Sequence, residues 1–342
     1  MINIGIIGGG NISGTHGRAA RELAGVEVAA VYGFNQQKSR LLAQEFGAPV
    51  YTELDAFLDH RPMDLVAIGS PSGLHAEQGI AAARRGLHVL VEKPIDVNLR
   101  SADALIAACD EAGVKLGVFF QDRTAPDLGR LKQLIDSGGL GRPVLVSAQV
   151  KWYRSPEYYS GSRWRGTAGL DGGGALINQG VHTVDLLVWL MGDVARVQAK
   201  AITGLHQIEV EDTLVATLEF QNGAVGTLEA ATSAYPGYPR RLELTGSEGT
   251  IVVEGDHIVR ADLHTPLEDL PMSQPDDSQI RASSPVVADV TGHRTILEDF
   301  IRAIETNGRP LCDGREGRRS LALVEAIYES SRSLRAVEPT SL

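Results

Sequence analysis

Short apolar runs alternate with helical patterns over the first third of the chain. Ile2–Ile7, Val26–Tyr32, Asp64–Gly69, His88–Glu92 and Lys115–Phe120 are rich in branched residues and show little polar alternation. Such runs predict strands buried on both faces. The stretches between them, about Thr15–Ala24, Ala76–Arg85 and Asn98–Ala112, carry helical periodicity. Strand and helix in alternation predict a doubly wound parallel sheet with right-handed crossovers. After Gln121 the period changes. A helix over Pro126–Ser137 precedes runs of period two at Val144–Trp152, Ala195–Thr203, Thr213–Phe220, Ala224–Thr232, Arg241–Thr245 and Thr250–Glu254. Turn signals such as Gln221-Asn222-Gly223 separate them, which predicts an open, mainly antiparallel sheet. One helical segment, Asp171–Met191, interrupts the strands, and His264–Gly292, rich in Pro, Ser and Asp, reads as a loop or flap. Helices at Arg294–Thr306 and Arg315–Ser333 close the chain. The expected organisation is an α/β domain over residues 1–121 and an α+β domain over 122–342, the closing helices being candidates to pack back on the first.

Composition narrows the class without changing this picture. A chain of 342 residues exceeds one ordinary core, and 43% hydrophobic with 22% charged residues is the balance of a globular protein. A net charge of −11 argues against nucleic acid or anionic membrane as partner. Cys109 and Cys312 lie far apart with no Cys or His at ligand spacing, so neither a disulfide framework nor a metal site is expected. The first strand begins at Ile2, which leaves no room for a signal peptide, and no apolar run spans a bilayer. A cytoplasmic location is the expectation.

Candidate chemistry begins at Gly8-Gly9-Gly10-Asn11-Ile12-Ser13, between the first strand and its helix. Gly8 allows a tight turn, Gly10 lets the backbone approach a pyrophosphate, and Ser13 is small enough for close helix packing. With Asn11 and Ile12 they would form a dinucleotide cradle at a helix N-terminus. The bland alternative is an ordinary glycine-rich turn, which the strand–turn–helix context disfavours. The second strand ends Gly33-Phe34-Asn35, with Lys38 and Arg40 beyond, and offers no carboxylate for ribose hydroxyls. A ribose 2′-phosphate would meet Asn35, Lys38 or Arg40 and no like charge, so the cofactor expected is NAD or NADP, leaning to NADP. Lys38 and Arg40 are equally readable as a solvated helix face. Ser70, Pro71, Ser72, Glu92, Lys93 and Gln121 follow the ends of other strands and join the expected cofactor contacts. His75 either packs at its helix start or lines the nicotinamide pocket.

The run His88–Pro94 stops abruptly at Glu92-Lys93-Pro94, placing an acid and a base at the rim of a cleft beyond the strand. A second constellation lies at Asp171-Gly172-Gly173-Gly174, followed by Asn178 and His182 at i and i+4 and Asp185 three residues on. The glycines permit close approach, and the polar stripe raises His182 above a structural histidine. Aromatic and basic residues cluster at Lys151, Trp152, Tyr153, Arg154, Tyr158, Tyr159, Arg163, Trp164 and Arg165, and again at Tyr235–Arg241. Flat rings suit sugar faces and arginines suit phosphate or carboxylate, although the same residues are enriched at subunit interfaces.

Gly8–Ser13, Glu92-Lys93-Pro94 and Gly172–His182, in this order, resemble the Gfo/Idh/MocA oxidoreductases over nearly the whole chain. The resemblance implies an N-terminal Rossmann domain, a C-terminal open sheet used for homodimers or homotetramers, and a cis Lys93–Pro94 bond. It also implies a catalytic lysine at Lys93 and a catalytic histidine at His182. Many polyol-oxidising relatives have aspartate at the position of Asn178. An amide orients the imidazole without supplying charge, and Asp185 is the candidate to compensate. The expected activity is hydride transfer between NAD(P) and a secondary alcohol or ketone of a sugar, sugar derivative or cyclitol. Lys93, His182 and Asn178 would do the chemistry, and Arg123, Trp152, Trp164, Arg165 and Tyr235 would line the substrate with them. Two rival readings stay open: an NAD-dependent glycosidase using transient oxidation, which shows no net nicotinamide turnover, and a non-catalytic dinucleotide-responsive regulator.

Overall fold

The computed structural model describes residues 1–161, 164–265 and 290–341, which form two compact units. The first comprises Met1–Gln121 and a returning segment that ends at Arg318. Its six strands are β1 (Ile2–Ile7), β2 (Val26–Tyr32), β3 (Val50–Tyr51), β4 (Leu65–Ile68), β5 (His88–Glu92) and β6 (Leu116–Phe119), all parallel in the order β3-β2-β1-β4-β5-β6. Every residue of β4 and β6 is buried, as continuous apolar runs in a parallel sheet require. Ile4, Ile6, Val31, Leu65, Leu90 and Phe119 pack against Ala20, Leu42 and Ala43 from two crossover helices. Ile296, Leu297, Phe300 and Ile301 of the closing helix Thr291–Glu305 complete that core.

The helix after the glycine turn runs Asn11–Arg21, four residues earlier than its periodicity suggests. Gly10 is its cap, so the glycine turn is itself the helix start. The two-residue β3 and the short helix Leu54–Leu58 were too brief to register as periodic patterns.

The second unit begins at Asp122 and takes in the chain from Arg319 onward. Its strands are β7 (Pro143–Lys151), β8 (Val194–Ile202), β9 (Thr213–Phe220), β10 (Val225–Ala231), β11 (Arg241–Gly246), β12 (Gly249–Glu254) and β13 (His257–Leu263). They lie in the order β13-β12-β11-β7-β10-β9-β8. Neighbours are antiparallel except β7 and β10, whose pairing is parallel. The sheet is thus mainly antiparallel, as the alternation suggests, with one parallel pair at its centre, where the long excursion between β7 and β8 lets β10 return beside β7. In β9 buried and exposed positions alternate through the strand. The helix Val181–Met191 lies against β7 and is buried nearly all round. Leu145, Val215 and Val225 are exposed on these strands. Most of the flap read over His264–Gly292 lies outside the described residues. Among those described, no helix is long and apolar enough to cross a membrane.

Candidate functional site

In the first unit the glycine turn has the conformation that its residue types suggest. Gly8 has φ +122°, and a Cβ there would come within 2.7 Å of the Gly69 carbonyl oxygen. A side chain is therefore excluded on both backbone and steric grounds. Gly10 is exposed, and a Cβ on it would meet open space, so its glycine leaves room beside the backbone for a ligand. No acidic side chain occupies the first turn of Asn11–Arg21, which leaves its N–H groups and dipole suited to an anion. Ser13 is buried and donates to the Gly69 carbonyl at 3.3 Å. Gly33 packs on this turn, since a Cβ would stand 3.1 Å from backbone atoms of Gly8 and Gly9. These features fit a dinucleotide pyrophosphate.

Other expected contacts have different employment. The Asn35 side chain accepts the Lys38 N–H at 3.0 Å and caps the helix Gln36–Phe46, while Lys38 and Arg40 are exposed. Ser70 Oγ donates to Gln78 at 2.6 Å, and Pro71 and Ser72 are half-buried beside it. His75 is buried, with Nδ1 at 2.9 Å from the Pro94 carbonyl and Nε2 at 3.0 Å from that of Ser70. It clasps two turns. Gln121 is half-buried where the first unit ends.

Glu92 is also turned inward. Its Oε1 stands 3.0 Å from His16 Nε2 and 3.2 Å from His293 Nε2, and its Oε2 accepts the Lys93 N–H at 3.1 Å. Burial works to raise its pKa, but the two imidazole donors prevail and hold the carboxyl well below its ordinary range. Lys93 is half-buried and joined to Pro94 by a cis peptide bond. His16 and His293 escaped notice in the sequence: one lies within an apolar helix face, and the other is 201 residues from Glu92.

In the second unit, the segment read as one helix over Asp171–Met191 begins as a π-helical turn, Ala175–Gly180, before the α-helix Val181–Met191. Glu211 makes the turn. Its carboxylate accepts the N–H groups of Gly174 at 2.9 Å and Leu176 at 2.8 Å, and the Tyr328 hydroxyl donates to it at 2.9 Å. A Cβ on Gly174 would overlap the Glu211 carbonyl oxygen. The wider turn alters the spacing expected for Asn178 and His182. The Asn178 amide nitrogen donates to Asp171, and its oxygen accepts from Gln179 at 3.1 Å. Gln179 also donates to the Tyr158 hydroxyl at 3.1 Å and accepts from Arg154 at 3.0 Å.

The carboxylate beside His182 belongs to Asp122, 3.7 Å from Nδ1. Asp185 does not compensate for Asn178: it forms a bidentate pair with Arg123 at 2.7 and 2.8 Å and accepts from Ser320 at 2.9 Å. That buried pair also removes Arg123 from the expected substrate contacts, its guanidinium lying over Trp189 instead. Arg165 sits 4.2 Å from the Tyr158 ring centroid and 5.7 Å from that of Trp164, and Arg154 lies over Trp152 and Tyr158. Trp152 Nε1 is buried with no hydrogen-bond partner among the described residues. Tyr235 is exposed and meets Tyr153 edge-on. Arg163 lies outside the described residues.

Residues 2–120 match the model of an oxidoreductase family with an NAD-binding Rossmann fold, and residues 128–252 match the GFO/IDH/MocA C-terminal domain. The chain is 34% identical to the WlbA dehydrogenase of Bordetella pertussis, whose crystal structure holds NADH and UDP-GlcNAcA. The two superpose with a TM-score of 0.89 over 100% of this chain and 98% of that one. It is 28% identical to D-apiose dehydrogenase of Paraburkholderia graminis, over 98% of this chain and 89% of that protein. Myo-inositol 2-dehydrogenase of Thermotoga maritima is 24% identical, over 98% of both.

Proposed function

The chain belongs to the GFO/IDH/MocA oxidoreductases, an NAD-binding family of sugar and cyclitol dehydrogenases, and on that premise we propose Lys93 and His182 as its acid/base pair. The observation that carries the reading is the tethering of the Lys93 peptide at the end of β5, in the same unit as a glycine turn ready for pyrophosphate. Backbone groups of Gly8, Gly10, Asn11 and Ile12 would hold the dinucleotide, with Ser70–Ser72 alongside. The end of β2 carries no carboxylate, and exposed Lys38 and Arg40 suit a 2′-phosphate, which supports NADP over NAD.

A bound oxidised nicotinamide would supply the hydride acceptor for the carbinol carbon. His182 removes the hydroxyl proton as general base. Lys93 donates a hydrogen bond to the oxygen as negative charge develops there. The products are a ketone, the reduced cofactor and a proton left on His182. Asp122, whose Oδ2 is paired with the buried Arg240 guanidinium, lies 3.7 Å from His182 Nδ1 and gives that imidazolium a carboxylate neighbour. Reduction reverses each step.

For substrate we favour an acidic sugar, nucleotide-linked as in the Bordetella neighbour. Arg165, half-buried beside Tyr158 and Trp164, supplies a cationic and flat surface of the kind such a ligand needs, and buried Arg154 is tied through Gln179 to Asn178. The exposed sheet positions Leu145, Val215 and Val225 favour assembly into a homodimer or homotetramer through that face.

The test follows nicotinamide absorbance with NAD and NADP against sugars, cyclitols and nucleotide sugars. Lys93→Met is expected to lower turnover by about 10²–10⁴-fold, the usual worth of a positioned acid/base group, with cofactor affinity retained. Unchanged turnover would remove Lys93 from the chemistry. Failure of reduced nicotinamide to accumulate on any substrate would overturn the oxidoreductase reading.

A further inference from the structure

Three buried histidines, none assigned to proton transfer, surround the turn that bears Lys93. Glu92 Oε1 is met by Nε2 of both His16 and His293, and Oε2 takes the Lys93 N–H. On the far side His75 Nδ1 reaches the Pro94 carbonyl at 2.9 Å. The lysine backbone is therefore held before and after its own residue. His16 stacks on Phe119 at 4.3 Å, which fixes its ring, and its Nδ1 is buried with no hydrogen-bond partner among the described residues. A proton on that nitrogen would be an orphaned buried donor, so the ring is neutral with its hydrogen on Nε2, aimed at Glu92. Burial likewise lowers its pKa.

We propose that His16 and His293 are positioning residues that act through Glu92. They keep it a carboxylate, and that carboxylate fixes the Lys93 peptide and supplies the fixed negative charge next to the acid/base lysine. Among the described residues, His75 also stands by the turn, together with Asp96, whose carboxylate accepts the Ala76 N–H at 3.0 Å. The three ligand atoms of His16, Glu92 and His293 lie within 4.8 Å of one another, a spacing that a divalent metal also tolerates. Two N–H donors on one oxygen account for the contacts without it, and the group offers three buried ligands where a structural zinc site uses four.

The proposal rests on Lys93 being the acid/base group, so its test uses a readout independent of turnover. Competitive labelling of Lys93 with acetic anhydride across pH, quantified by peptide mass, reports the lysine titration. Hydrogen exchange of the peptide spanning Glu92 and Lys93 reports the backbone tether. In Glu92→Gln the labelling midpoint is expected to fall, because removing a neighbouring negative charge favours the neutral amine. In His293→Leu exchange of that peptide is expected to accelerate by about tenfold, the scale of one lost charge-assisted hydrogen bond. His293→Gln, which restores a side-chain N–H, should recover slow exchange, whereas a merely space-filling role would make leucine the better replacement. Unchanged labelling in Glu92→Gln together with unchanged local exchange in His293→Leu would overturn the proposal. So would a stoichiometric metal in the purified wild type that His293→Leu loses. Full turnover in Lys93→Met with the exchange result intact would fail the catalytic reading alone.

Discussion

At the scale of single residues, several side chains that look chemical in the sequence are committed to the framework. Arg123 reads as a substrate cation until Asp185 is found opposite it, both fully buried. Asp185 in turn reads as support for His182, whose carboxylate neighbour at 3.7 Å is instead Asp122. Such pairs join residues 62 positions apart, and nothing local in the sequence announces them. Asn178 shows why one position is not interchangeable between relatives. Its amide donates to the Asp171 carboxylate, which also accepts the Gly166 N–H at 2.8 Å. Asn178→Asp would place two carboxylates in contact with no proton between them. The variant is expected to lose about 1–3 kcal/mol at pH 7, the cost of an unsatisfied buried polar group. The new pair has a folded pKa above its unfolded value, so the deficit should shrink as pH falls and the pair takes up a shared proton. Thermal melts from pH 7 to 5 measure this, and a deficit that does not change with pH would refute it.

At the scale of elements, the π-helical turn Ala175–Gly180 depends on one glycine and one acid. Gly174→Ala must displace the Glu211 backbone, and the expected loss is about 2–4 kcal/mol, within the range for a core clash. Chemical denaturation measures it, and near-wild-type stability would mean that the Glu211 segment moves freely. The turn before β9 is held by a second acid. Asp212 is buried, which by itself raises its pKa, but N–H groups of Gly204, His206 and Leu205 and the Thr213 hydroxyl prevail and lower it from 3.8 to about 2. With the folded pKa below the unfolded one, the stabilisation is complete above 3.8 and disappears as pH falls through about 2. Asp212→Asn should therefore lose most stability relative to wild type at neutral pH and little near pH 2, as paired denaturation curves would reveal. His206, between Asp212 Oδ2 at 3.1 Å and the Arg154 carbonyl at 2.8 Å, ties this turn to the aromatic and basic cluster.

At the scale of the whole molecule, the chain returns to its first unit after building the second. The core beneath β1, β4 and β5 is closed by Ile296, Leu297, Phe300 and Ile301, contributed by a helix nearly three hundred residues after β1. Truncation before that helix would expose this core. Assembly through the open sheet face predicts that Val225→Glu shifts the species in sedimentation velocity towards the monomer. Val225 lies beside Leu145 in the parallel β7–β10 pair. An unaltered distribution would place the interface elsewhere.

The sequence by itself determined what depends on neighbours along the chain. Apolar runs gave the parallel strands, period-two alternation gave most of the second sheet, and glycines at fixed offsets marked the two turns where backbone must be approached closely. Glu92-Lys93-Pro94 was visible for the same reason, as an abrupt end to a buried strand. Tertiary structure decided which charges are free to act. Whether Glu92, His75, Arg123 or Asp185 faces a ligand or an internal partner depends on groups brought together from distant segments, and burial makes each such pairing decisive. The π-helical turn belongs to the same category, because Glu211 and Tyr328 create it from outside its own sequence.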